Sequence, residues 1–128
     1  MNRHATPEAE TAANAGGLFF GLSDEQEMIV STVRSFVERE VYPHEETVER
    51  TGEVPREVAD DIRRKTIELG FYACNFPEEV GGAGLSHLDF ALVERELGRG
   101  SMALTHFFGR PQNILMACEG EQRERYLL

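Results

Sequence analysis

The stretch Phe76-Pro77-Glu78-Glu79-Val80-Gly81-Gly82-Ala83-Gly84-Leu85-Ser86 places one proline and three glycines within eight positions. A backbone of that composition sustains neither helix nor strand, so it predicts a tight, specifically shaped connection. Helical patterns lie on either side. Where Cβ atoms are missing, either two backbones or a backbone and a ligand can approach closely, and a plain helix-to-helix turn satisfies the pattern as well.

Upstream, Ser23-Asp24-Glu25-Gln26 reads as a capping box, in which the Ser23 hydroxyl accepts from the Gln26 amide while the Gln26 side chain reaches back. A first helix starts there, with Ile29, Val33, Phe36, Val37 and Val41 recurring at three- and four-residue spacing. Pro43 is expected to end it, since the residue before a proline, Tyr42, is pushed out of the α region. The acid-rich stretch from His44 to Glu53 then reads as a solvated connection. Pro55 suits the first turn of a second helix, whose stripe is Val58, Ala59, Ile62, Thr66 and Leu69, with Ile67 outside it. Asp60 with Arg64, and Asp61 with Lys65, stand four apart and mark a solvent face. Gly70 is placed to close this helix in the left-handed conformation.

Downstream, Ser86-His87-Leu88-Asp89 reads as a second capping box, opening a third helix that runs to about Leu97. Leu88, Phe90, Ala91, Leu92, Val93 and Leu97 spread nearly all round it, the pattern of a central, buried helix. Glu94 and Glu96 must then sit in gaps of the apolar surface or pair with Arg95 and Arg99, because an unpaired buried carboxylate is costly. Gly98-Arg99-Gly100-Ser101-Met102-Ala103 matches the GxGxxA form of a dinucleotide fingerprint, but a helical pattern precedes it where that motif needs a strand. Its glycines instead separate the third helix from a strongly apolar fourth segment, Met102 to Ala117, in which Pro111 predicts a kink or a break. Glu121 to Leu128 begins another helical turn. The fold is predicted to be all-α, four to five helices packed around His87 to Leu97.

Charge and cysteine usage narrow the function. A net charge of -10, from 23 acids against 13 bases, disfavours nucleic-acid backbones and anionic membrane surfaces as partners. Cys74 and Cys118 form no CxxC and no Cys/His cluster, so neither a metal site nor a disulfide framework is predicted. Residues 1–17 are polar and read as a disordered tail without a signal-peptide core, followed by Leu18-Phe19-Phe20 as an extended lead-in. No apolar run approaches the ~20 residues of a membrane span. The expectation is a soluble, cytoplasmic chain with reduced thiols.

Four motifs in order, L-S-D-E-Q at Leu22 to Gln26, P-E-E-V-G-G-A-G-L at Pro77 to Leu85, V-E-R-E-L-G-R at Val93 to Arg99 and E-Q-R-E-R-Y-L at Glu121 to Leu127, resemble the N-terminal helical domain of the acyl-CoA dehydrogenase family. The resemblance covers about Gly21 to Leu128. It implies a flavoenzyme of fatty acid metabolism built from this helical domain, a middle β domain and a C-terminal four-helix bundle, of which residues 18–128 supply only the first. It further implies FAD as cofactor, an acyl-CoA thioester as substrate, an electron-transferring flavoprotein as partner, and a homo-oligomer when complete. The family's catalytic glutamate and most of its flavin contacts belong to the other two domains. No catalytic residue is therefore assigned here, the flavin is not expected to be held by this chain, and the chain is expected to be inactive alone.

In the family the helix matching Met102 to Cys118 helps wall the acyl pocket, and matching backward from E-Q-R-E-R-Y-L places Ser101, Met102, Thr105 and His106 toward the fatty chain. The plainer alternative makes Met102 and Phe107 core and His106 a satisfied histidine. Two departures from the family pattern disturb this register: Gly120 directly precedes Glu121, and Pro111 interrupts a helix that is long in the family. The volumes of Met102, His106, Phe107 and Phe108 favour a bulky or aromatic acyl group over a straight chain. A reading from a different class is a stand-alone helical interaction module derived from the same family, binding a partner through an exposed apolar face.

Overall fold

A computed structural model describes residues 21–128. The expectations for residues 1–17 and 18–20 fall outside that range. Helix α1 (Asp24–Phe36) begins at the predicted capping box, with the Gln26 amide donating to the Ser23 hydroxyl at 3.2 Å and the Ser23 amide donating to Gln26 Oε1 at 3.0 Å. Its stripe is buried as the spacing predicts, Val33 completely.

The helix does not end at Pro43. Val37–Val41 widens into a π turn and α2 (Tyr42–Thr51) follows without a gap, Pro43 lying in its first turn. Tyr42 keeps α dihedrals (φ -53°, ψ -40°) despite preceding a proline, and its amide donates to the carbonyl of Val37, five residues back. The wider turn is what accommodates the ring: proline lacks the donor and crowds a carbonyl four residues back, and a π register relaxes both demands. The acid-rich stretch after His44 is accordingly helical as far as Thr51, and Gly52 closes it at φ +72°.

Helix α3 (Arg56–Glu68) buries Ala59, Ile62 and Thr66 and leaves Ile67 exposed, as its stripe predicts. Leu69 departs from that reading. It caps the helix and is 47% exposed, because the chain turns away at Gly70 (φ +77°). Asp61 pairs with Lys65 at 2.7 Å, but Asp60 takes Arg56 and Arg63 instead of Arg64, which binds Asp61 and Glu68. Three- and four-residue neighbours compete for the same exposed arginines, and the spacing alone does not choose between them.

The glycine-rich stretch resolves into a short 3₁₀ turn (Glu78–Val80) between two backbone crossings. The Gly84 amide donates to the Phe76 carbonyl at 2.8 Å and the Leu85 amide to that of Cys74 at 3.1 Å. A Cβ on Gly82 would stand 2.0 Å from the Phe76 carbonyl oxygen. What the missing side chains admit here is another stretch of backbone.

Helix α4 (His87–Leu97) follows, with the Asp89 amide donating to the Ser86 hydroxyl at 3.1 Å. The second capping box is only half formed, since the Asp89 carboxylate accepts from Gln26 Nε2 of α1 at 2.9 Å. Burial of α4 is also one-sided: Leu92, Val93, Glu96 and Leu97 are inside, whereas Leu88 (60% exposed) and Ala91 face out. Helix α5 (Met102–Thr105) is short, runs into a 3₁₀ turn at His106–Phe108, and stops at Gly109 (φ +82°). A second 3₁₀ turn (Asn113–Ala117) and α6 (Glu121–Tyr126) complete the chain. The apolar fourth segment thus breaks rather than forming the long helix that the family resemblance implies. The described residues are all-α and contain no strand.

Helix α4 lies against α1, and α3 against the His106–Phe108 turn. Between them sits the main core, including Val33, Phe36, Val37, Val41, Ile62, Val93, Leu97, Leu104 and Phe108. Each such side chain contributes roughly 1.5–3 kcal/mol on burial. Phe108 is at its centre, meeting Phe36 edge to face with ring centroids 5.2 Å apart. A smaller core of Ala73, Phe76 and Leu127 forms where α6 returns to the glycine-rich turn.

Candidate functional site

The approach to α5 is set by Gly100. A Cβ there would lie 2.8 Å from Val41 and 3.3 Å from Val37, so glycine lets the chain cross directly over the π turn. Helix α4, not a strand, precedes Gly98, so the GxGxxA pattern is a packing device and forms no dinucleotide turn. The Ser101 amide then donates to Glu45 Oε1 of α2 at 2.6 Å, which fixes where α5 starts.

From that start, helical spacing sorts the side chains. Leu104 and Thr105 are buried, at 0% and 4% exposed, whereas Met102 (82% exposed), Ala103 and His106 point outward. Of the four residues singled out from sequence, Met102 and His106 share the outer face, Ser101 is half-buried at the cap, and Thr105 lies inside. Met102 is not core, as the plainer alternative had it. Ala103 belongs to the outer face and was not singled out, although the i, i+3, i+4 rule carries it there.

Beyond His106 the break opens a groove of about 240 Å³ lined by Arg63, Tyr72, His106, Phe107, Gly109, Arg110, Pro111 and Gln112. Its far wall is anchored from both sides. The Ala73 amide donates to the Gly109 carbonyl at 2.8 Å, and Asn75 Nδ2 donates to the Pro111 carbonyl at 2.9 Å. Arg110 Nη1 donates to the Thr105 carbonyl at 2.7 Å while its Nε pairs with Glu94. Sequence reasoning missed Arg63 and Tyr72 because they reach the groove from α3 and the turn after it; the proline-glycine break was the one local signal of an opening.

Other reactive groups are committed elsewhere. Burial pushes the Cys74 thiol up to about 11, which keeps it protonated and unreactive. A larger concavity of about 510 Å³ between α1 and α3 contains Lys65, whose pKa is raised by hydrogen bonds to Asp61 and Glu40. Its ammonium is thus already paired. Among the described residues no three His, Cys, Asp or Glu side chains cluster as metal ligands, and no helix is long and apolar enough to cross a membrane.

An all-α body with a glycine-tight turn, a Gly-led crossing and a short α5 whose outer face carries Met102, Ala103 and His106 defines a helical domain. The model of the acyl-CoA dehydrogenase N-terminal domain matches residues 23–128, and this chain belongs to that family. It is 38% identical over 89 residues to a probable acyl-CoA dehydrogenase, YngJ, of Bacillus subtilis, covering 68% of this chain and 22% of the relative. Benzylmalonyl-CoA dehydrogenase of Aromatoleum aromaticum is 36% identical over 85 residues, 66% of this chain and 22% of the relative. The caffeyl-CoA reductase-Etf complex subunit CarC of Acetobacterium woodii is 29% identical over 111 residues, 82% of this chain and 28% of the relative. The chain thus spans less than a third of the length of these relatives. No solved structure matches it.

Proposed function

We propose that this domain walls the acyl-binding chamber of an FAD-dependent acyl-CoA dehydrogenase, and that the outer face of α5, Met102, Ala103 and His106, is the surface turned to the acyl chain. The observation that carries the reading is Met102, an 82% exposed large apolar side chain on a helix whose next residues but one, Leu104 and Thr105, are buried. An isolated domain gains nothing from that exposure, whereas a chamber closed by other domains buries it against an apolar ligand. Flavin, when bound, supplies hydride acceptance. The Gly98–Ala103 crossing is filled by Val37 and Val41 and does not fit a flavin diphosphate, so the cofactor and the proton-abstracting base are assigned to the rest of the enzyme and no step is routed through this chain. On this reading the domain is inactive alone, the complete enzyme is a cytoplasmic homo-oligomer, and its electrons leave to an electron-transferring flavoprotein, the kind of partner named for the caffeyl-CoA relative.

The test is Met102→Trp in the complete enzyme, with a series of acyl-CoAs of increasing length. The expected outcome is a rise in KM that grows with chain length, with the melting temperature of the ligand-free enzyme unchanged because the side chain faces an open chamber. An unaltered chain-length profile overturns the role given to this face. A second reading, a stand-alone interaction module, draws on the further exposed apolar residues Leu88, Ile114, Tyr126 and Leu128. It requires the natural polypeptide to lack the other two domains, which the mass of the protein isolated from cells decides.

A further inference from the structure

The groove beyond His106 has a lining that an aliphatic chain does not need. Tyr72 and Phe107 bring rings, His106 an imidazole, and Arg63 a guanidinium, with Gly109 and Pro111 completing it. Each group is held in place. Phe107 packs on the main core, its ring lies 5.7 Å from the Arg63 guanidinium, and it meets His106 edge to face with centroids 5.6 Å apart at 80°. Tyr72 lies across Gly109, where a Cβ would come within 2.1 Å of its ring, so the glycine is what lets the tyrosine reach this position. Arg110 is withdrawn by Glu94 and the Thr105 carbonyl, while Arg63 meets Asp60 at 3.4 Å and otherwise lies by the Phe107 ring. Arg63 is therefore the cation that the groove offers.

We propose that this groove is the end of the acyl site and receives an aromatic ring, so that the substrate class is an aryl-terminated acyl-CoA. The inference rests on the reading of α5 as an acyl wall, because His106 belongs both to its outer face and to the groove. Size allows it: the groove is open to solvent on one side and, at about 240 Å³, has room for a ring the size of benzene. Chemistry agrees as well. Aromatic groups set edge to face, together with a cation that can lie over a ring, favour an aryl group by up to about tenfold beyond what burial of the same area gives an alkyl chain.

The experiment uses the complete flavoenzyme carrying this domain, with phenylpropionyl-CoA and hexanoyl-CoA as alternative substrates and anaerobic bleaching of the flavin as readout. The expected result is a kcat/KM about tenfold higher for the aryl thioester, expressed mainly in KM. Phe107→Ala is expected to bring the ratio near unity. Because Phe107 also touches the core, His106→Ala, at a position outside both hydrophobic cores, is the second variant, and it should lower the ratio in a ligand-free enzyme that melts as the wild type does. Equal kcat/KM for the two thioesters, or a preference that neither variant alters, overturns the aryl assignment and leaves the dehydrogenase reading standing. Absence of bleaching with both thioesters overturns that reading and the groove with it.

Discussion

Glu96 carries an ionised group into the interior, at 2% exposed, and survives there because α1 and α4 converge arginines on it. Arg34 binds it through both oxygens at 3.0 and 3.1 Å, Arg95 at 3.0 Å, and Arg99 stands 3.8 Å away. The hydrogen bonds from Arg34, opposed by burial, hold its pKa below the usual 4.5. A carboxyl with a lowered folded pKa contributes fully above its unfolded value and loses that contribution as pH falls through the folded one. Glu96→Gln is expected to cost about 1–2 kcal/mol at neutral pH, discounted because the arginines reach solvent. The same variant should show a shallower fall in stability below pH ~4.5; thermal melts across that range check both effects. Arg95 and Arg99 were legible partners from spacing alone. Arg34 was not, because 62 residues separate it from Glu96 and only the packing of α1 on α4 joins them.

At the scale of the element, the glycine-rich turn is where the chain has least latitude. A Cβ at Gly82 meets three backbone atoms within 2.7 Å, whereas Gly81 has open space and only its φ of +87° to satisfy. Gly81→Ala should therefore cost about 1–2 kcal/mol, and Gly82→Ala about 3 kcal/mol or more, since backbone cannot step aside as a side-chain tip does. Chemical denaturation of the two variants gives the order, and equal losses would contradict the crossing geometry. That a turn stood here was plain from residues 76–86, as were the helix starts at Ser23 and Ser86. Pro43 misled because its local bias against the α region is a tendency, and a one-residue widening at Val37–Val41 evades it at the point where Val37 and Val41 both need to stay inside. The outer face of α5 was half legible: residue types suggested Met102 and His106, but Thr105 needed the actual helical register, which the break at Gly109 shortens.

Across the whole molecule, two cores of unequal size imply unequal stability. The larger unites α1 to α5, whereas α6 and the 3₁₀ turn at Asn113–Ala117 are tied to the rest by the small core of Ala73, Phe76 and Leu127, with Val80, Leu115 and Met116 packed on it, and by a hydrogen bond from Asn75 Nδ2 to Asn113 Oδ1. Native-state hydrogen exchange should find amides of residues 113–128 opening at a lower free energy than those of α1 and α4, by ~2 kcal/mol or more; uniform protection would show a single cooperative unit. The all-α class was legible because four stripes of apolar residues had helical period, but which helix lay at the centre was not, since Leu88 and Ala91 look like core until α4 is seen to press only one side against α1. That pairing begins at a single carboxamide, Gln26, which accepts from Ser23 and donates to Asp89. The rule for such caps treats glutamate and glutamine as synonyms. Here they are not, for a carboxylate would have no hydrogen to offer Asp89 and would set two like charges face to face, so any rewriting of position 26 has to be answered at position 89.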